Sequence, residues 1–410
     1  MNRTYKHIVV GKGLIGAAAT RHLSEASVEV AAIGPDEPAD WTKHDGPFAS
    51  HFDSGRITRI LDTSLVWATL AKRSIERYRS IEEKSQMSFF QPVGCVKVVP
   101  DSEWGRNYIT ANRQIGDTLR VQYEILNDAG LRARFPYLHF AANSLGIFET
   151  ETAGWINPRT LVAGQLKMAE RNGAAIIRET VIERRERGQL HELVTDAGNI
   201  YSCENVLIAA GSYSNFYGLA RPKLNVIVRA ETTVLAKVQR DEQADLERMP
   251  SVIMFFPEDA PGGYVYMVPP AMYPDGQHYL KMGGHGELNH LFHSLDELRD
   301  WFHSPGDATA AAVYRKTMSD LLSDFKLREF YSKPCIITDT VTDMPYIGRL
   351  DKNVFVATGG CGAAAKSSDE IGRLGAQAIL SGENDPAYDG NSFDIVREDD
   401  ESRSKRKFQF

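Results

Sequence analysis

The chain has 410 residues, of which 42% are hydrophobic and 25% charged, and a formal net charge of −7. That length exceeds what one core usually supports, so two domains are expected, with the composition of an ordinary soluble globular protein. The acidic balance argues against a nucleic-acid partner, and no apolar run approaches membrane-spanning length.

Cys95, Cys203, Cys335 and Cys361 are too scattered for a disulfide framework or a zinc knuckle, so no metal is expected. The N-terminus enters a strand without a basic-then-apolar leader, which makes a reducing, cytoplasmic setting the expectation.

Residues 6–38 read as strand, helix, strand. The apolar run Ile8-Val9-Val10 leads into Gly11-Lys12-Gly13-Leu14-Ile15-Gly16 and then Ala17-Ala18-Ala19. In that setting Gly11 permits the tight turn, Gly13 lets backbone approach a pyrophosphate, and Gly16 lets helix and strand pack closely. The helix N-terminus then faces the negative charge. This pattern implies a dinucleotide without saying which one. The second strand, residues 28–33, halts at Gly34-Pro35, where an acidic residue commonly holds the ribose. Only Asp36 and Glu37 stand just beyond, so one of them reaches back or the ribose is held by backbone alone. Lys12 replaces the usual small residue and points to solvent or toward phosphate.

Farther along, residues 40–63 are polar and turn-rich, and 65–83 have helical periodicity. Residues 94–100 read as a strand, 104–115 as a helix, and 146–149 with 153–156 as a strand and its turn. A helix over 158–172 carries Pro158 in its first turn, where a missing amide costs nothing. A strand begins at 174–177, residues 198–203 form a hairpin-like return, and 206–211 make a buried parallel-type strand. From 225 to 282 short alternating runs predict an antiparallel sheet with one face exposed. Helices over 295–302 and 307–322, a buried strand over 354–360 and a helix over 367–380 follow. The polar tail after Asn384 ends near Lys405-Arg406-Lys407 and either wraps or frays.

Parallel-type segments at the start, middle and end enclose a sheet-rich module. That order predicts a mixed α/β (α+β) fold: a discontinuous Rossmann-like dinucleotide-binding domain with an inserted antiparallel-sheet substrate domain. The expected boundaries are 1–85, 150–220 and 330–385 for the first, 86–149 and 221–329 for the second, and 386–410 for a tail.

Four stretches in order resemble the glycine/D-amino-acid-oxidase superfamily of flavoproteins, in its monomeric sarcosine oxidase and N-methyltryptophan oxidase branch. They are the Gly11–Gly16 loop, His51-Phe52-Asp53-Ser54-Gly55-Arg56-Ile57-Thr58-Arg59, and Leu280-Lys281-Met282-Gly283-Gly284-His285. The fourth runs from Pro334-Cys335 through Asp343-Met344-Pro345-Tyr346-Ile347-Gly348 to Gly359-Gly360-Cys361-Gly362-Ala363-Ala364-Ala365-Lys366.

The resemblance implies FAD lying between the two domains. Its expected contacts are Gly11, Gly13, Leu14, Ile15, Gly16, His51, Ser54, Arg56, Val181, Gly211, Cys335, Gly360, Gly362 and Lys366. Cys335 matches the family cysteine that forms a thioether to the flavin 8-methyl group, whereas Cys361 matches a position near the flavin but not the attachment site. Lys281 matches a lysine near flavin N5 that promotes reaction with dioxygen, since a fixed ammonium stabilises developing negative charge. His285 belongs to the same group and either tunes the substrate pocket or is a structural hydrogen-bonded histidine. Arg56 lies against the flavin, while Arg59 and Lys366 bind the substrate carboxylate, a planar fork beside a point charge. Tyr266, with Trp155, Phe255 and Tyr264, is a candidate for the pocket wall. Where relatives have glycine and aromatic character, Ala363-Ala364-Ala365 suggests a pocket reshaped for a bulkier substrate.

Read without the family, Cys335 is a small apolar filler and Lys281 a lysine on an edge strand. Arg56 and Arg59 are then solvated charges or partners of Asp53 and Asp62.

The function implied is oxidation of the C–N bond of a secondary or N-substituted amino acid to an imine, with dioxygen reduced to hydrogen peroxide. The hydride goes to flavin N5, so no side-chain base is required. The alternatives are a dehydrogenase using a quinone or carrier acceptor, and a non-catalytic flavin-binding subunit of an amine-oxidising complex. A monomer or small homo-oligomer is expected.

Overall fold

The apolar run before the glycine turn forms the strand Arg3–Val10, followed by the helix Leu14–Ala26 and the strand Val30–Ile33. The computed structural model describes residues 3–27, 29–239, 241–257, 263–285, 290–382 and 385–400; Val28, expected to begin the second strand, lies outside them. Arg3–Val10 pairs in parallel with Val30–Ile33 on one side and Ile200–Ile208 on the other. Helices Leu14–Ala26, Pro158–Arg171 and Ala364–Leu380 pack together beside this sheet. Such a sheet is buried, so its central strands carry unbroken apolar runs.

The first sheet has eight strands. Val181–Arg187, Leu190–Thr195, Ile200–Ile208, Arg3–Val10, Val30–Ile33 and Ala175–Ile177 lie in that order, with Val354–Thr358 attached to Ile200–Ile208 and Tyr346–Asp351 attached to Val354–Thr358. Residues 198–203 and 206–211, expected as two elements, largely form this single strand Ile200–Ile208. Its first half pairs antiparallel with Leu190–Thr195 and its second half parallel with Val354–Thr358. One strand therefore has two kinds of neighbour along one edge, which blurs its pattern.

A second sheet of eight strands runs Phe330–Thr340, Val226–Lys237, His278–His285, Tyr264–Met272, Ser251–Phe255, Cys95–Pro100, Ser144–Glu149, Tyr123–Leu126. All its pairings are antiparallel except Ser251–Phe255 on Cys95–Pro100. The expected exposed face is absent along Val226–Lys237, which is buried over most of its length. The reason is visible in the two-residue alternation. Thr232, Val234 and Ala236 face the helix Ala308–Leu321, its N-cap and the core beneath it. Glu231, Thr233 and Leu235 face internal cavities.

Residues 146–149 and 153–156 are not a strand and its turn: the first lie within the strand Ser144–Glu149. The first belongs to the large sheet, whereas Gly154–Ile156 joins Arg56–Thr58 and Phe90–Gln91 in a separate three-stranded sheet. The helices Leu65–Ser85, Glu103–Leu119, Leu295–Phe302 and Ala308–Leu321 fall where periodicity places them. The tail wraps: Val396 is buried and Arg397 bridges to Leu224. Lys405-Arg406-Lys407 lies outside the described residues. Among those described, no helix is long and apolar enough to cross a membrane.

Candidate active site

A continuous cavity of about 340 Å³ lies between the two large sheets, running from the glycine turn to Cys335 and Lys366. At its glycine end the backbone does what the motif requires. Gly11 has φ +100, and a Cβ there would fall 2.4 Å from the Ala209 carbonyl oxygen. A Cβ on Gly16 would fall 1.8 Å from the Gly11 oxygen, so only glycine lets this helix sit on its turn. Gly13 differs: the nearest atom to its Cβ position is His51 Nδ1 at 3.7 Å, so it bounds open space. The helix has no side-chain N-cap, leaving its first amides available to an anion. His51 Nδ1 is buried without a hydrogen-bond partner among the described residues, and burial together with Lys12 and Arg159 pushes the imidazole down to about 3. It is a neutral group in the cavity wall.

Both acids after the second strand are committed elsewhere. Asp36 pairs with Lys12 and with Arg178, and Glu37 accepts two bonds from Arg159 at 2.5 and 2.6 Å. Lys12 is therefore turned onto Asp36 while still lining the cavity.

Arg59 and Lys366, far apart in sequence, meet on one carboxylate. Asp62 Oδ2 lies 2.9 Å from Arg59 Nη1 and 3.0 Å from Lys366 Nζ. Burial opposes the charge on Asp62, yet Lys366 and Arg59 outweigh it and hold the carboxyl well below its usual range. Burial also lowers Lys366, with Asp62 the chief opposing influence. Arg59 and Lys366 both reach the cavity wall. Behind them, buried Lys97 donates to Leu61 O at 2.8 Å and Asn112 Oδ1 at 2.6 Å.

A second charged group sits behind Cys335. Asp53 accepts from Lys281 Nζ at 2.6 Å, Arg56 Nε at 3.0 Å and Tyr273 Oη at 2.8 Å. Burial disfavours its ionisation, but Lys281 and Arg56 reverse that and depress its pKa. Burial pulls Lys281 down to about 8 against the pull of Asp53. Arg56 and Cys335 line the cavity, with Arg56 Nη2 4.0 Å from Cys335 Sγ. Lys281 does not line it: its ammonium is spent on Asp53 and the Gly55 carbonyl.

Of the residues singled out from sequence, Gly11, Gly13, Leu14, Ile15, His51, Arg56, Arg59, Val181, Gly211, Tyr266, Cys335, Gly360, Gly362 and Lys366 all line this cavity. Gly16 lies beneath the turn, and Ser54 is bonded to Arg159 at 2.8 Å. The side chain of His285 lies outside the described residues. Tyr264 and Tyr266 form wall, as do Ala363, Ala364 and Ala365, whereas Trp155 packs in a core cluster and Phe255 stacks among Trp104, Tyr108 and Tyr264. Cys361 contacts Thr340 at 3.6 Å, away from the lining. Sequence reasoning missed Asp62 as the link between the two cations, and Glu231 altogether. Alternating charges at Arg229 and Glu231 inside a strand were the available signal for Glu231.

Residues 6–378 match the family model described as FAD dependent oxidoreductase. The chain is 28% identical over 216 residues to monomeric sarcosine oxidase of Streptomyces avermitilis, a match spanning 52% of this chain and about half (53%) of that enzyme. It is 21% identical over 403 residues to monomeric sarcosine oxidase of a Bacillus species, spanning 97% of each. The fold is similar to the open form of NikD, an amino acid oxidase essential for nikkomycin biosynthesis. The TM-score is 0.76 at 18% identity, covering 97% of this chain and 98% of that one.

Proposed function

The chain belongs to the FAD dependent oxidoreductase family, and from that premise we propose that it oxidises the C–N bond of a secondary or N-substituted amino acid to an imine, as a member of the sarcosine-oxidase and N-methyltryptophan-oxidase branch. The observation that carries this reading is that Arg59 and Lys366, both in the cavity wall, converge on a single carboxylate, Asp62, held behind that wall. A site that already holds one carboxylate between a guanidinium and an ammonium has the chemistry to hold a substrate's carboxylate.

The residues present fit FAD. The uncapped helix end suits the pyrophosphate, the open space above Gly13 admits it, and unpartnered His51 Nδ1 offers a neutral contact. When bound, FAD accepts the hydride and returns two electrons to dioxygen, giving hydrogen peroxide. In our reading Arg59 and Lys366 orient the substrate by its carboxylate, and Tyr266 walls the pocket. Arg56 supplies positive charge beside the reacting region. Lys281 holds Asp53, which holds Arg56, so Lys281 is assigned a positioning part. Cys335 is proposed to carry the flavin through a thioether, with dioxygen as the oxidant that restores the flavin after attachment.

We further propose a cytoplasmic enzyme, monomeric or a small homo-oligomer. The test is an anaerobic titration of the holoprotein with N-substituted, cyclic and primary amino acids, followed by admission of air. Flavin bleaching by N-substituted members, then oxygen uptake and peroxide, is expected. No bleaching by any of them overturns the reading, and bleaching without reoxidation replaces the oxidase by a dehydrogenase.

A further inference from the structure

Glu231 is a buried carboxyl in the cavity wall that no step above uses. It is 4% exposed and stands opposite Cys335 across the Val226–Lys237 and Phe330–Thr340 pairing. Its countercharge is shared. Arg229 Nη1 lies 3.2 Å from Glu231, but Arg229 Nε is given to Asp339 at 2.6 Å. Among the described residues, two carboxylates on one guanidinium leave one negative charge without its own cation in a buried wall, a state that calls for a proton or a cation. Burial does push the Glu231 carboxyl up to about 7, despite Arg229.

The surroundings show which side of the cavity this is. Glu231, Tyr264, Arg59 and Lys366 all line the one cavity, so the acid and the carboxylate clamp face the same space. Gly284 shapes the wall nearby: a Cβ there would fall 2.4 Å from the Tyr264 carbonyl oxygen and 3.1 Å from Tyr314 Cε1. Tyr314 is 2% exposed, its phenol is raised chiefly by burial and then by Glu231, and its hydroxyl has no hydrogen-bond partner among the described residues. Behind the wall at Gly284, the Tyr314 hydroxyl, without a partner among the described residues, is a buried polar group lacking its complement.

We propose that Glu231, with the Tyr314 hydroxyl behind it, forms a second subsite that receives a cationic nitrogen at the far end of the substrate. The preferred substrate is then an N-substituted amino acid with a basic side chain, held by its carboxylate at Arg59 and Lys366 and by its distal cation at Glu231. This rests on the function proposed above.

The holoenzyme is tested with Nα-methyl-L-lysine against its uncharged analogue Nα-methyl-L-norleucine, reading kcat and KM by oxygen uptake. A charge-assisted contact predicts a preference of about tenfold or more in kcat/KM for the lysine derivative, carried mainly by KM. In Glu231→Gln that ratio collapses to within about threefold, and Glu231→Asp restores part of it. Equal kcat/KM for the two compounds in the wild type overturns the subsite, and that comparison needs no variant to fold. A Glu231→Gln variant in which both compounds slow by the same factor also overturns it, assigning Glu231 to the flavin or the fold instead. If neither compound bleaches the flavin anaerobically while other N-substituted amino acids do, the subsite falls and the function stands; if no member of that panel bleaches it, both fall.

Discussion

Replacing Asp62 by asparagine separates two parts this residue could play, competitor for the substrate carboxylate or brace for the cations. Its Oδ2 contacts Arg59 and Lys366 at 2.9 and 3.0 Å, and its Oδ1 accepts from Thr63 N at 2.9 Å. At an effective dielectric of about 20, a unit pair about 3 Å apart attracts by about 5 kcal/mol before desolvation. Removing one member of a largely buried pair costs about 3–5 kcal/mol, and the 16% exposure of Asp62 places the expected loss near the lower figure. Denaturant unfolding of Asp62→Asn should therefore show a stability lower by about 3 kcal/mol. The two cations, left facing each other, should then take up an external carboxylate more strongly. Propionate, titrated by the change in flavin absorbance with propionamide as control, should bind about tenfold tighter or more, equivalent to about 1.4 kcal/mol. Tighter binding marks Asp62 as a stand-in for the substrate carboxylate. Propionate binding that is equal or weaker in Asp62→Asn refutes this reasoning and leaves Asp62 as a brace.

Three further outcomes are expected, the first of them from the proposed thioether. Acid-precipitated wild type should stay yellow in the pellet, and Cys335→Ser should release its colour; colour wholly in the wild-type supernatant rules out the thioether. Gly16→Ala should fail to fold, because its Cβ meets the Gly11 oxygen at 1.8 Å, whereas Gly13→Ala should fold but carry less flavin, as measured by the flavin-to-protein ratio. Burial lowers His7 to about 4 and His51 to about 3, from 6.5, so the folded protein binds fewer protons than the unfolded chain across that window. Stability is then fully present above about pH 6.5 and falls on acidification by up to about 1.4 kcal/mol per pH unit for each. Urea unfolding at pH 7 and pH 5 checks the sign, and a His7→Gln variant with an unflattened slope would contradict the assignment.

Much of the fold was legible because it is local. The glycine turn, the first helix and the helices at Leu65–Ser85, Pro158–Arg171 and Leu295–Phe302 follow from periodicity, caps and prolines, which act within a few residues. Strand partnership was less so. The strand Phe330–Thr340, which carries Cys335, went unrecognised, and the run at 198–211 was divided, because pairing along Val226–Lys237 or Ile200–Ile208 is decided by distant segments.

The same division holds at the site. The sequence by itself determined that a dinucleotide loop opens the chain, and its motifs marked Arg59, Lys281, Cys335 and Lys366 through their family resemblance. Only the tertiary structure decided what those groups touch. It drew Arg59 and Lys366 onto Asp62, moved Lys281 out of the cavity wall onto Asp53, and turned Glu231 inward with only a share of Arg229. A side chain's charge is written in the sequence, but its countercharge is chosen by packing that joins residues hundreds of positions apart. In a buried site that choice of partner governs protonation and binding.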